Sequence, residues 1–186
     1  MQYSTLGWNL LDEWNAGVEP VCDPDLVLFF AGQTARKLLE PWSHFHRKYP
    51  RAHIVGCSSG GEILGGKVED DSLVAMLIRF DHARVRVARA AVEFSPDSRR
   101  AGNTLALELM EPDLKVVIVL ADGLTTNGDA MVSGLREKLP EDVLITGGLA
   151  ADGADFRHTQ VACDGPLESG IAAAIDLYGD SIRAGW

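Results

Sequence analysis

Four short apolar runs in this chain each break off into a polar or glycine-bearing loop, and two pairs of them bracket a helical pattern. The runs are Leu26 to Phe30, Ala52 to Val55, Val116 to Leu120 and Val143 to Ile145, each the length of a buried strand. The loops are Gly32-Gln33, Gly56 to Glu62, Asp122 to Asn127 and Gly147 to Asp152. Between the first two runs, Ala35, Leu38, Leu39, Trp42 and Phe45 recur at helical spacing, and Pro41 inside that pattern predicts a kink or a fresh start. Between the last two, Ala130, Met131, Leu135 and Leu139 share a helical face that Pro140 ends. A strand, a helix and a second strand in this order form a right-handed parallel crossover. In open α/β sheets the ligand occupies the crevice beyond the carboxyl ends of the strands, where these loops meet.

The remaining segments have weaker signals. Residues 1–24 carry little pattern; Trp8 to Trp14 reads as a helix with Leu11 and Trp14 on one side. Ser72 to Phe80 is apolar and Arg84 to Val87 alternates, which predicts an antiparallel hairpin over 73–94. Glu69-Asp70-Asp71 reads as a solvated turn. Ser98 is placed to cap a helix running to Met110, and Thr126 with Asp129 has capping-box spacing. Thr159 to Cys163 and Ser169 to Leu177 predict a second hairpin turning at Asp164-Gly165. With no linker, repeat or low-complexity tract in sight, the expectation is a single α/β domain over residues 1–186. It has a mixed β-sheet of parallel β-α-β units plus antiparallel hairpins, with helices packed on the sheet.

Charge narrows the partners. The formal net charge is −10, and the basic residues form no cluster beyond Arg99-Arg100. Such a surface repels phosphate backbones and anionic lipid, so neither nucleic acid nor a membrane is an expected partner. The longest apolar run, Leu73 to Ile78, is far below the roughly 18 residues of a membrane span, and no signal peptide opens the chain. Cys22, Cys57 and Cys163 are odd in number and widely spaced, neither a disulfide framework nor a metal pair, which points to the cytoplasm. His44 and His46, two apart on a helix, face different ways, so no metal site is expected.

The stretch Gly56-Cys57-Ser58-Ser59-Gly60-Gly61-Glu62 gathers hydroxyls, a thiol, glycines and a carboxylate at one strand end. As a binding loop, the N–H groups of Ser58 to Gly61 would receive a ligand carboxylate, as backbone nests receive anions. Glu62, Asp122 and Asp152 would meet an amino group and Asn127 would fix orientation, with Gly123, Gly147 and Gly148 letting backbone come close. The plainer reading of Asp122 and Asp152 is that each holds its own turn. The same stretch satisfies G-x-S-x-G, the nucleophile elbow of α/β-hydrolases, with Asp122 or Asp152 and His158 as acid and base. That elbow needs a helix directly after it, and Gly60-Gly61 and Gly65-Gly66 are poor helix material. Cys57 as nucleophile is weaker still.

Together these loops resemble the N-terminal domain of the FIST family. The match rests on Val55 to Ile63, on Ala121-Asp122-Gly123-Leu124, and on Gly147 to Asp152 with Phe156 and Thr159 behind it. Gly61 and Ala151 replace Ala and Gly of the family pattern, small for small. The resemblance implies a non-catalytic sensor of bacterial signal transduction, in the cytoplasm, that binds an amino acid or related metabolite without a cofactor. It relays to a signalling protein such as a histidine kinase, cyclase or chemotaxis protein. Some members look like haem-based nitric oxide sensors; an axial ligand would then come from His44, His46, His53, His82 or His158. Family members usually continue into a C-terminal FIST domain. The expectation for this shorter chain is a homo-oligomer that buries apolar residues of the Ser169 to Trp186 segment.

Overall fold

The computed structural model describes residues 1–11, 13–16 and 23–183, so Cys22 and the end of the chain at Trp186 lie outside the described residues. The first half runs β1 (Gln2–Asn9), β2 (Glu13–Ala16), β3 (Leu26–Ala31), α1 (Gln33–Leu39), α2 (Pro41–Lys48), β4 (His53–Ser58), β5 (Glu62–Leu64), β6 (Lys67–Glu69) and β7 (Leu73–Arg79). The second runs β8 (Arg84–Ala91), α3 (Ser98–Leu109), β9 (Leu114–Ala121), α4 (Gly128–Arg136), β10 (Leu144–Leu149), β11 (Val161–Cys163) and β12 (Ile171–Tyr178).

The apolar runs do form strands, and both crossovers are parallel: β3 beside β4 and β9 beside β10. They belong to two different sheets, of order β11-β4-β3-β7-β1-β2 and β10-β9-β12-β8. The sheets stack face to face through Leu26, Val55, Leu120, Val161, Ile171 and Ile175. Helices α1 and α2 cover the outer face of the first sheet through Ala35 and Phe45. Helices α3 and α4 cover the outer face of the second through Leu105, Leu109, Met131 and Leu135. This gives an α/β architecture of four layers, helix–sheet–sheet–helix.

The two sheets repeat one plan, which the sequence does not advertise. Within the order β4-β3-β7-β1, β3 and β4 are parallel while β7 is antiparallel to both β3 and β1. The order β10-β9-β12-β8 has the same directions and the same succession along the chain. Even the register agrees: Gly56 stands opposite Phe29, and Gly147 opposite Val119. A Cβ on Gly56 would lie 2.4 Å from the Phe29 carbonyl oxygen, and one on Gly147 1.9 Å from that of Val119, where φ is also +144°.

Several expected elements are corrected. The proposed helix from Trp8 to Trp14 is a hairpin, with Trp8 opposite Trp14 across β1 and β2; burial of Leu6 and Trp8 follows a period of two, not 3.6. The hairpin over 73–94 does not form, because β1 and β3 occupy both edges of β7 and send β8 to the other sheet. The hairpin from Thr159 to Leu177 fails likewise: β12 lies between β8 and β9 while β11 pairs with β4. Most of the Ser169 to Leu177 segment is therefore core rather than an exposed apolar surface. Val143 to Ile145 opens an edge strand whose last four residues are exposed, not a buried one. Gly65 and Gly66, both at positive φ, turn an unforeseen β5–β6 hairpin ahead of the exposed acidic residues Asp70 and Asp71. At Pro41 the helix does restart, with Glu40 left-handed at φ 45°. Asp97, not Ser98, precedes α3, and Asn127, not Thr126, caps α4 by accepting from the Ala130 amide.

Strand β12 carries a buried carboxyl. Asp176 on β12 is 1 % exposed, and its Oδ1 finds no partner. Burial pushes this carboxyl from 3.8 up to about 7, opposed by Tyr178 and Arg86. The unfolded chain loses this proton near 3.8 and the native one near 7, so stability falls as pH rises through that window. Asp176→Asn is expected to raise the melting temperature at pH 8 and to change it little near pH 4, as thermal denaturation across pH will show. Gly56→Ala and Gly147→Ala should each cost roughly 1–3 kcal/mol or more from overpacking against backbone. Gly148→Ala, whose Cβ would have nothing within 4 Å, should leave the denaturation midpoint nearly unchanged.

Candidate functional site

The three stretches singled out in the sequence converge on one short segment, residues 158–160. Ser58, at the end of β4 and 1 % exposed, donates its amide to the Gln160 carbonyl and accepts the Gln160 amide on Oγ, both at 2.9 Å. Asp122, just past β9 and also 1 % exposed, accepts the Thr159 hydroxyl and the Leu124 amide on Oδ1 and the Gly170 amide on Oδ2. Asp152 accepts the amides of Phe156, Arg157 and His158. These amide bonds, led by that of His158, hold its carboxyl below the usual carboxylate range. Each aspartate thus holds its own turn, the plainer of the two sequence readings, and together with Ser58 they fasten 158–160 in place.

The roles first imagined for these groups meet other partners. The amides of Ser58 and Ser59 donate to Gln160 and Ala31, and that of Gly61 to the Ser59 hydroxyl, so they are not free to receive a carboxylate. Asn127 is spent on its cap. Glu62 is 2 % exposed and accepts from the Ser72 amide and hydroxyl on Oε2, leaving Oε1 unpaired; burial pushes its carboxyl up. Cys57, Ser58, Ser59, Gly60, Gly147 and Gly148 line a crevice of about 370 Å³ between the sheets, otherwise walled by residues such as Phe30 and Leu120. Gly56, Gly61, Glu62, Asp122, Gly123, Asn127 and Asp152 do not line it. Burial pushes the Cys57 thiol up to about 12, which leaves it without a nucleophilic thiolate. The G-x-S-x-G stretch runs into strand β5 instead of the helix that a nucleophile elbow requires.

The larger cavity lies on the other face of the first sheet, and residues 158–160 form its wall. It is a cleft of about 630 Å³ between α1–α2 and that segment, lined by Arg36, Lys37, Glu40, Trp42, His158 and Gln160 among others. Arg36 is the group that the sequence reading missed. It is 9 % exposed, donates Nη1 to Gln160 Oε1 at 2.7 Å and to the His158 carbonyl at 3.3 Å, and has a buried Nε with no partner. Burial pulls its pKa down, while Asp152 leads the charges that push back. Nothing in the sequence marks it, since the position after buried Ala35 on α1 can face either way.

A match to the model of the FIST N domain spans residues 25–186. The chain belongs to the FIST family. Its FIST N domain is a sensory domain of signal transduction, and no curated protein matches the chain. The matched span includes Ser58, Asp122 and Asp152, the residues that fasten 158–160. No helix among the described residues is long and apolar enough to cross a membrane, and none of their side-chain groups is arranged to hold a metal ion. In this cleft His158 stands among Arg36, Lys37 and Glu40, a charged lining rather than the apolar pocket that holds a haem.

Asp122→Ala would take the acceptor from the Thr159 hydroxyl and the Gly170 amide and leave the Leu124 amide only its longer bond to Thr159 Oγ1. It is expected to destabilise the protein by roughly 2–4 kcal/mol. Asn127→Ala, the loss of a helix cap, should cost only about 1 kcal/mol. Urea denaturation of the two variants side by side checks the ranking.

Proposed function

We propose that this FIST N domain senses a small zwitterion, an amino acid or a close relative, bound in the Arg36 cleft. The observation that carries the reading is Arg36 itself, a nearly buried guanidinium with a spare donor, on the wall of a cleft of about 630 Å³. A buried arginine is a strong, fork-shaped receptor for a carboxylate. Lys37 adds a second cation to the same wall, and Glu40, at the turn between α1 and α2, offers an acceptor for an ammonium group. Trp42, Pro41 and Leu167 supply apolar surface for a side chain. A neutral zwitterion is not repelled by the net charge of −10.

In this reading Ser58, Asp122 and Asp152 are positioning residues. A ligand carboxylate competes with Gln160 Oε1 and the His158 carbonyl for Arg36, and the change passes along the 158–160 segment to Asp122 and β12. The relay would end at a separate signalling protein in the bacterial cytoplasm, such as a histidine kinase, cyclase or chemotaxis protein.

A thermal-shift screen of the twenty amino acids and related metabolites tests this. Ligand at about 100 times its dissociation constant stabilises a fold by roughly 2.7 kcal/mol, which at roughly 2–4 °C per kcal/mol is a rise of several degrees. The shift should vanish in Arg36→Gln and shrink in Glu40→Gln, while Asp113→Ala, outside the cleft, keeps it. A screen with no hit, or a hit untouched by Arg36→Gln in a folded variant, rejects the cleft as the site.

A further inference from the structure

We propose that β10 is the edge at which two copies of this chain pair, antiparallel about a twofold axis at Gly147, so that their four-stranded sheets become one continuous sheet. The fold itself supplies the precedent. In the first sheet the outer edge of β4 is closed by the antiparallel strand β11, through Cys57, Gly56 and Val55. In the second sheet the equivalent strand is β10, and among the described residues it pairs on one side only, with β9.

The two ends of the second sheet are finished differently. At the far edge, β8 carries Arg84, Arg86 and Arg89, ion-paired to Glu111, Asp113 and Glu168. Charged edges of this kind discourage further strand pairing. The sequence of β10, Leu-Ile-Thr-Gly-Gly-Leu, has no charge and no proline, and its last four residues are exposed. Apolar grooves flank it on both faces. One, of about 300 Å³, lies toward α4 and is walled by Met131, Val132 and Leu135. The other is the crevice between the sheets already described.

Register then selects a second copy as the occupant. Ile145 packs toward the α3–α4 core, so Gly147 and Leu149, two and four residues on, share its face. Antiparallel pairing centred on Gly147 sets Ile145 of one copy opposite Leu149 of the other, twice, and Thr146 opposite Gly148. Leu149, 49 % exposed in the single chain, then covers apolar surface beside the α4 groove of its neighbour. Glycine at the axis leaves room for close approach. The twofold also runs the two α4 helices antiparallel, turning the acidic first turn at Asp129 toward the Arg136 end of the other copy. A stable dimer buries about 1,200–2,000 Å² in all, more than a six-residue ladder supplies. Val132 on α4, 46 % exposed, and Leu124, 47 % exposed, extend the apolar surface beyond the strand. The association foreseen from residues 169–186 is thus moved to a different face.

Analytical ultracentrifugation of the whole chain at micromolar concentrations, together with amide hydrogen exchange, decides the matter. The expected result is a dimer whose β10 amides gain protection as concentration rises. Leu149→Lys and Gly148→Lys, both at positions open to solvent, should weaken dimerisation tenfold or more, about the loss expected for a buried anchor. Ile63→Lys, also at an exposed position but on β5, should not. A monomer overturns the proposal, and so does a dimer that survives both β10 substitutions or leaves the β10 amides unprotected. A monomer that copurifies with a foreign peptide over β10 also overturns it, since the edge would then belong to another protein's strand.

Discussion

A carboxylate withdrawn from water has to be met by donors, and Asp122 is met by one from its own turn and two from distant parts of the chain. The Leu124 amide, the Thr159 hydroxyl and the Gly170 amide all donate to it. Once they arrive, the end of β9, the start of β12 and the segment leading into β11 are fixed relative to one another. Ser58 adds the end of β4 through Gln160. The two sheets are therefore tied at their carboxyl ends by polar bonds, while Leu26, Val55, Leu120 and Ile175 hold their faces together by burial alone. Removing the polar tie would leave stacked sheets without a defined mouth.

Arg36 depends on that tie. A guanidinium at the foot of α1 could turn outward into water, as arginines on helices usually do. It stays in because Gln160 and the His158 carbonyl accept from it, and they are in range only while Asp122, Asp152 and Ser58 hold them. The cost of desolvating this cation is borne by a network assembled from both halves of the molecule. Such a cation is poised to prefer a better acceptor than a neutral amide.

The strands that end in loops were legible because their signals are local: an apolar run, then glycine or aspartate. The break at Pro41 was legible for the same reason. The pairing of β7, β8, β11 and β12 was not, since a short connection between two strands reads identically whether they join one sheet or step to the next. Only the occupancy of both edges of β7 decides it, and that is a property of distant β1 and β3. That Asp122 and Asp152 hold their own turns was one of two readings the sequence left open, and the bonds of Ser58 to Gln160 were not legible at all. A small polar residue that holds a wall and one that touches a ligand look alike until the donors around them are known. Arg36 escaped because a single cation on an amphipathic helix carries no pattern at all.

The repeated plan of the two sheets has a consequence for how the chain divides its labour. Register makes Ser58 and Leu149 counterparts, opposite Ala31 and Ala121 respectively. One architectural position thus holds an inward hydroxyl in the first half and an outward leucine in the second. A scaffold built twice can keep its strand order in both copies while the equivalent corners drift toward unrelated tasks. Here one corner has turned inward to become the back wall of a chamber. Its twin has kept its backbone bare, and the asymmetry between them is the most specialised thing the chain has made from a shared design.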